Sequence, residues 1–301
     1  MLKPNKLNKG DKVGIIVPAS PVKEPYRSDG LKRIEAMGYV PVEAGDILSQ
    51  NGFLAKTPED SFADLQRFFD DGEIKAIWAA RGGYGSNLIY PLLSGLRVSE
   101  PKIVIGSSDL SYLLWYLADR FNFVVFYGPM AYSSLPGERF NAANFQQVMS
   151  GDYTALKIPG TVLIPGRVKG IVTGGCLSNF VSLIGTPYFP EIKNRVLLLE
   201  DVGERPYRLD RMFWQIAGAG IFQKLRGLLL GEFPGCFKDE TEKAQFLQRM
   251  GYYLRGIDIP VIYDLPFGHS RDINTLPLGI GVEIDTSSFP GLIIEEKGVI
   301  L

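Results

Sequence analysis

The chain has 301 residues, 46% of them hydrophobic and 22% charged, with a formal net charge of −1. Such fractions exclude disorder as the main state, and 32 basic against 33 acidic residues leave no global field to draw nucleic acid or an anionic membrane. One histidine and two cysteines, Cys176 and Cys236, exclude multi-histidine metal sites, zinc–cysteine clusters and a disulfide framework.

The first half alternates strand and helix signals. Lys12–Pro18 reads as a buried strand ending in a turn, and Arg27–Met37 as a helix stopped by Gly38. Tyr39–Val42 is a short strand. Pro58–Phe69 carries Phe62, Leu65, Phe68 and Phe69 at helical spacing. Ile74–Ala80 is a strand that runs into Arg81-Gly82-Gly83-Tyr84-Gly85-Ser86. Ile103–Ile105 and Phe123–Tyr127 are strands on either side of a helix over Leu110–Phe121. Short apolar strands alternating with helices predict a parallel sheet covered on both faces.

Residues 151–167 hold Pro159, Gly160, Pro165 and Gly166 and are expected to be a linker between a domain over 1–150 and a domain over 168–301. Beyond it, strands are expected at Val168–Thr173, Val196–Leu199, Leu228–Leu230, Val261–Tyr263, Leu278–Ile284 and Gly291–Ile294. Helices are expected at Leu177–Ile184, Arg208–Ala217 and Glu240–Leu254, making a mixed α/β domain with more antiparallel pairing. The polar N-terminus shows no secretory signal. The longest uncharged run, between Lys169 and Glu191, is broken by Gly174, Gly175, Gly185, Pro187 and Pro190 and does not read as a membrane span.

Four strand ends carry chemistry. Ile105-Gly106-Ser107-Ser108-Asp109 leads from a strand into an apolar helix. A serine on so sharp a turn can present its hydroxyl above the sheet, beside an amide able to stabilise an oxyanion; the same residues also suit a helix N-cap. The Arg81–Ser86 turn can bring backbone amides to an anion, or can be a tight connection and nothing more. Glu200 and Asp201 follow an apolar strand, where a carboxylate enters a ligand crevice or simply ends a strand in water. His269 is the one imidazole available for acid–base work, although a lone histidine also occurs as an ordinary surface or core residue. Together Ser108, Glu200 and His269 offer a nucleophile, an orienting carboxylate and a base, in an order that recurs in hydrolases.

At these residues the chain resembles the LD-carboxypeptidase family, which includes muramoyltetrapeptide carboxypeptidases and microcin C self-immunity peptidases. The resemblance begins at Gly14-Ile15-Ile16-Val17-Pro18-Ala19-Ser20 and continues through Arg81-Gly82-Gly83-Tyr84-Gly85, Ile105–Asp109 and Gly128-Pro129-Met130. It extends through Gly174–Ser178, Ile184–Pro187, Leu199-Glu200-Asp201 with Glu204, Pro206, Tyr207 and Arg208, and Gly268-His269 with Thr275–Gly279. Each motif is short, but eight in order along one chain are specific. Ser107, Cys176 and Tyr127 depart from residues common in the family.

The resemblance implies a Rossmann/flavodoxin-like N-terminal parallel sheet and a C-terminal mixed α/β domain of the swivelling β/α type. It also implies a Ser108–Glu200–His269 triad, with the amides of Asp109 and Gly83 as oxyanion donors. Arg81, Tyr84, Tyr207, Arg208 and Arg271 are candidates to bind substrate. The implied reaction removes the terminal D-alanine of a murein tetrapeptide from an L-centre of diaminopimelate or lysine. The setting implied is cytoplasmic cell-wall recycling by a homodimer, with no metal or cofactor and no nucleic-acid or membrane partner. Two alternatives stand beside it: a microcin-immunity-type peptidase that cleaves an aminoacyl-nucleotide amide, and a non-catalytic two-domain protein that binds an anion or peptide.

Overall fold

The computed structural model describes residues 1–132 and 139–301. They form two compact units. The first comprises Met1–Tyr153, Ile273–Gly279 and Lys297–Leu301; the second comprises Thr154–Asp272 and Ile280–Glu296.

The strands of the first unit are β1 (Lys12–Ile16), β2 (Val40–Glu43), β3 (Ile74–Ala79), β4 (Ile103–Gly106), β5 (Val125–Tyr127) and the late-coming β14 (Leu276–Leu278). They lie in the order β14-β5-β4-β3-β1-β2. All pairings are parallel except that of β14 with β5. Helices α1 (Tyr26–Ala36), α2 (Pro58–Asp70), α3 (Ser111–Phe121) and α4 (Ala142–Ser150) belong to the same unit. Strands covered on both faces read as continuous apolar runs, and Ile103, Val104 and Ile105 of β4 are wholly buried. Helix α2 forms where its sequence directs: Thr57 accepts the Asp60 amide at 3.1 Å, Pro58 occupies the first turn, and Leu65, Phe68 and Phe69 are buried.

The second unit contains β7 (Leu156–Pro159), β8 (Thr161–Ile164), β9 (Arg167–Cys176), β10 (Arg195–Glu200), β11 (Gly227–Gly231), β12 (Val261–Leu265), β15 (Gly281–Asp285) and β16 (Phe289–Ile294). Its sheet runs β7-β16-β15-β9-β10-β11-β12-β8. The central β9-β10-β11-β12 block is parallel, and the four outer pairings are antiparallel. Helices α5 (Leu177–Leu183), α6 (Pro206–Gly218) and α7 (Glu240–Tyr253) connect the parallel strands. Helix α6 buries Leu209, Phe213 and Ile216 at helical spacing, and Asp239 caps α7 through the Glu242 amide at 2.9 Å. Two two-residue strands, β6 (Arg139–Phe140) and β13 (Asp272–Ile273), lie outside both large sheets. Among the described residues, no helix is long and apolar enough to cross a membrane.

Both sheets match the expected fold class, a largely parallel first half and a mixed second half. Two local expectations change. Residues 156–159 and 161–164, within the stretch read as a linker, are strands, because their alternating and apolar residues pair with β16 and β12. Residues 278–284 do not form one strand. The chain leaves β14 at Gly279, whose φ of 90° breaks the extended path, and resumes pairing at Gly281 beside β9. The sequence reading also missed α4, capped by Asn141 at 3.1 Å, and the 3-10 stretch Ser86–Gly95.

The order β2-β1-β3-β4-β5 has a known consequence. Sheets of this order bind ligands beyond the C-terminal ends of their strands, where the order reverses between β1 and β3. The segments leaving those ends carry Ser20, Arg81–Ser86 and Ser107–Asp109. In the second unit, the C-terminal ends of β10, β11 and β12 lead to Glu200, Glu232 and His269.

Candidate active site

Ser108 follows β4 with φ at 54°, a left-handed backbone that a non-glycine residue rarely adopts. The turn closes tightly. Leu110 donates its amide to Ser107, and Gly106 packs so near Leu110 that any side chain there would overlap it. The amide of Ser108 donates to the Tyr127 hydroxyl at 3.1 Å, and its carbonyl accepts Ser111 Oγ at 2.7 Å. Neither Ser107 nor Leu110, at the N-terminal boundaries of the two helical segments, makes a side-chain capping bond. The turn thus has the backbone of a strained strand–helix elbow.

The glycine turn lies against this elbow. A Cβ on Gly82 would stand 3.0 Å from Ser108 Cβ and 3.1 Å from its Oγ. Gly83 has φ of 106°, and a side chain there would overlap Ser20. Ser20 secures the turn by accepting the Tyr84 amide at 3.1 Å, while its own amide donates to Gly82. At the far end of the turn, the buried Asp109 carboxylate accepts the Ser86 amide at 2.7 Å. Burial pushes that carboxyl up to about 6, against the pull of the Ser86 and Gly85 hydrogen bonds.

In the second unit, Glu200 and His269 are bonded to each other. Glu200 Oε2 lies 2.7 Å from His269 Nδ1 and accepts the His269 backbone amide at 3.1 Å. One carboxylate therefore holds both the ring and the main chain of the histidine. Space for it comes from two glycines: a Cβ on Gly231 would lie 2.6 Å from Glu200 Cβ, and one on Gly268 would overlap the Glu200 carboxyl. Glu200 is 1% exposed. Its neighbour Asp201 turns the other way, accepting the amides of Ser178 and Val202, both at 2.9 Å. Burial, then the nearby Glu200 charge, raises the Asp201 carboxyl above the usual range. Cys176 ends β9 directly beside Glu200, and burial holds its thiol well above the ordinary value. The pair Glu200–His269 can hold an imidazole in one tautomer and stabilise its cation.

The other expected residues are dispersed. Arg81 donates to the Pro21 carbonyl at 2.6 Å, and Tyr84 is exposed beside Phe53. Tyr207 is exposed, with the Arg211 guanidinium 5.2 Å over its ring. Arg208 pairs with Glu204 at 3.6 Å near the start of α6. Arg271 is exposed, and its amide donates to Glu232 at 3.2 Å. Ser20, Ser86, Glu232 and the side chain of Asp109 were not foreseen. Ser20, Ser86 and Asp109 lie within the motifs quoted above, but nothing in the sequence marks the contacts that they and Glu232 make, because each bonds to residues tens of positions away.

Residues 13–128 match the LD-carboxypeptidase N-terminal domain, and residues 169–284 match the LD-carboxypeptidase C-terminal domain. The chain is similar to a probable murein peptide carboxypeptidase of Bacillus subtilis, with 32% identity over 306 residues, covering 99% of this chain and 95% of the relative. It is similar to a murein tetrapeptide carboxypeptidase of Pseudomonas aeruginosa, with 30% identity over 284 residues, covering 89% and 91%. Its fold is similar to the solved structure of MccF in complex with glutamyl sulfamoyl guanosine, with a TM-score of 0.88, 21% identity and full coverage of both chains.

Proposed function

The chain belongs to the LD-carboxypeptidase family and is a carboxypeptidase, and from that premise we propose that it removes the terminal D-alanine of murein tetrapeptides through Ser108, His269 and Glu200. The observation that carries this reading is the double hold of Glu200 on His269. With its proton on Nδ1 toward Glu200, a neutral imidazole has Nε2 to receive the Ser108 proton.

The seryl oxygen bonds to the scissile carbonyl carbon as its proton passes to His269. Glu200 stabilises the imidazolium. The amides of Asp109 and Gly83 receive the oxyanion, each worth about 3 kcal/mol of transition-state stabilisation. The C–N bond then breaks, with the imidazolium proton passing to the departing D-alanine amine. Water, deprotonated by His269, releases the acyl group and restores Ser108.

The relatives named for murein peptides support the substrate class. Arg81 is the candidate for the terminal carboxylate: it follows β3 at the predicted ligand crevice, and among the described residues it has no ion pair. The resemblance extends the reading to a cytoplasmic homodimer that acts in cell-wall recycling. The test is incubation with a muramyl tetrapeptide, following D-alanine by mass in wild type and Ser108→Ala. Release by wild type alone is the expected result. Cleavage of an aminoacyl-nucleotide amide with no D-alanine release would turn the assignment to the immunity-type activity.

A further inference from the structure

The glycine turn and the nucleophile elbow are joined by one side chain whose role the triad leaves unexplained. Asp109 follows Ser108, and its carboxylate points away from its own helix. It accepts the amide of Ser86 at 2.7 Å, at the far end of the turn that holds Gly82 and Gly83. Its main chain is held from the same side, because Ser86 donates its hydroxyl to the Asp109 carbonyl. Both residues are buried, Asp109 at 3% and Ser86 at 1% exposure. Such burial of a carboxylate is costly unless hydrogen bonds offset it.

The arrangement has a geometric result. Two amides can share one oxyanion only when their spacing is held to a fraction of an ångström. One of these amides belongs to Asp109 itself. The other, Gly83, lies in a turn of two left-handed glycines, Gly83 and Gly85, which has little stiffness of its own. Ser20 holds the near end of that turn, and Asp109 holds the far end.

We propose that Asp109 is a positioning residue whose carboxylate sets the Gly83 amide in register with the Asp109 amide, so that both act on the oxyanion formed at Ser108. The proposal rests on the reading of Ser108 as the nucleophile. It assigns the carboxylate a role in the transition state and none in holding the ground-state substrate.

The experiment compares wild type, Asp109→Asn and Ser86→Ala. It measures kcat and KM for the tetrapeptide, the rate at which a fluorophosphonate labels Ser108, and the melting temperature. Asp109→Asn keeps the shape but removes the charge and replaces one of the two accepting oxygens by an NH2 group. The expected result is a fall of about tenfold to a hundredfold in kcat, the same fall in the labelling rate, and an unchanged KM. Ser86→Ala, which keeps the carboxylate and removes the second tie, lowers both rates by a smaller factor. It decides the question alone if Asp109→Asn does not fold. A lowered melting temperature with unchanged kinetics of the folded protein overturns the proposal, and so does a raised KM at constant kcat. A wild-type protein that the reagent does not label at Ser108 overturns the nucleophile reading itself. A labelled wild type with unaltered variants overturns this proposal alone.

Discussion

The two units hold their candidate residues by opposite means. In the first, backbone does the work: Ser108 is forced to a φ of 54°, and the facing turn consists of glycines whose amides can approach an anion. In the second, side chains do it, as a buried carboxylate grips an imidazole and glycines on either side leave it room. A strained backbone tolerates changes of side chain but not of conformation, whereas a side-chain pair tolerates backbone adjustment but not the loss of a partner. Under the proposed mechanism, one reaction would depend on conformation in one half of the chain and on hydrogen-bond identity in the other.

The largest test removes a reacting group from either side. Ser108→Ala and His269→Ala should each lower turnover by about a thousandfold or more, and the double variant should be no worse, because the proposed mechanism uses the two as one unit. Additive losses, measured by D-alanine release, would separate the two residues. Next comes the second unit's pair. Glu200→Gln should cost about a hundredfold to ten-thousandfold in kcat by disturbing the imidazole tautomer, with little change in melting temperature. Gly268→Ala should lower both activity and stability, because its Cβ overlaps Glu200 and its φ of 71° disfavours a side chain. A variant with normal melting and normal rates would mean that the pair is not confined as described.

In the first unit the matching change is gentler. Gly82→Ala places a methyl about 3 Å from the Ser108 hydroxyl without demanding a left-handed backbone. It should slow labelling of Ser108 about tenfold with little loss of stability, since the turn can yield by tenths of an ångström. Asp109 adds a pH signature. Its carboxyl rises from an ordinary value of 3.8 to about 6 on folding, so the folded state retains a proton that the unfolded chain releases between those values. Stability therefore falls as pH rises through that window, by at most about 3 kcal/mol from this group. Urea melts from pH 4 to 7 should show Asp109→Asn gaining on wild type by up to that amount as pH rises; a constant difference would contradict the raised value. The smallest effect is expected at Arg208, whose pair with Glu204 is 60% exposed on the arginine side. Arg208→Ala should leave the melting temperature unchanged, so any rise in KM reports a substrate contact directly.

Much of this molecule is legible along the chain. Apolar runs between turn residues mark most strands of both sheets, most plainly those buried on two faces, which have no other composition available. The short motifs at strand ends mark Ser108, Glu200 and His269 as candidates, because the residue types able to attack, orient and accept a proton are few and the chain has one histidine. The late strand β14 escaped this reading, because a three-residue segment becomes a strand only when β5, some 150 residues earlier, lies beside it. Residues 156–164 escaped for the same reason: prolines and glycines that signal turns locally are tolerated at the edges of a sheet.

Local sequence sets which residues can do chemistry and roughly which segments carry them. Tertiary structure alone decides who holds them. No spacing announces that the Asp109 carboxylate reaches Ser86 rather than its own helix, or that Gly231 and Gly268 are small so that Glu200 can fit. Those facts depend on distances between chain segments 23 to 69 residues apart. A hydrogen bond or a steric limit acts through space and leaves no periodic trace in the chain that forms it.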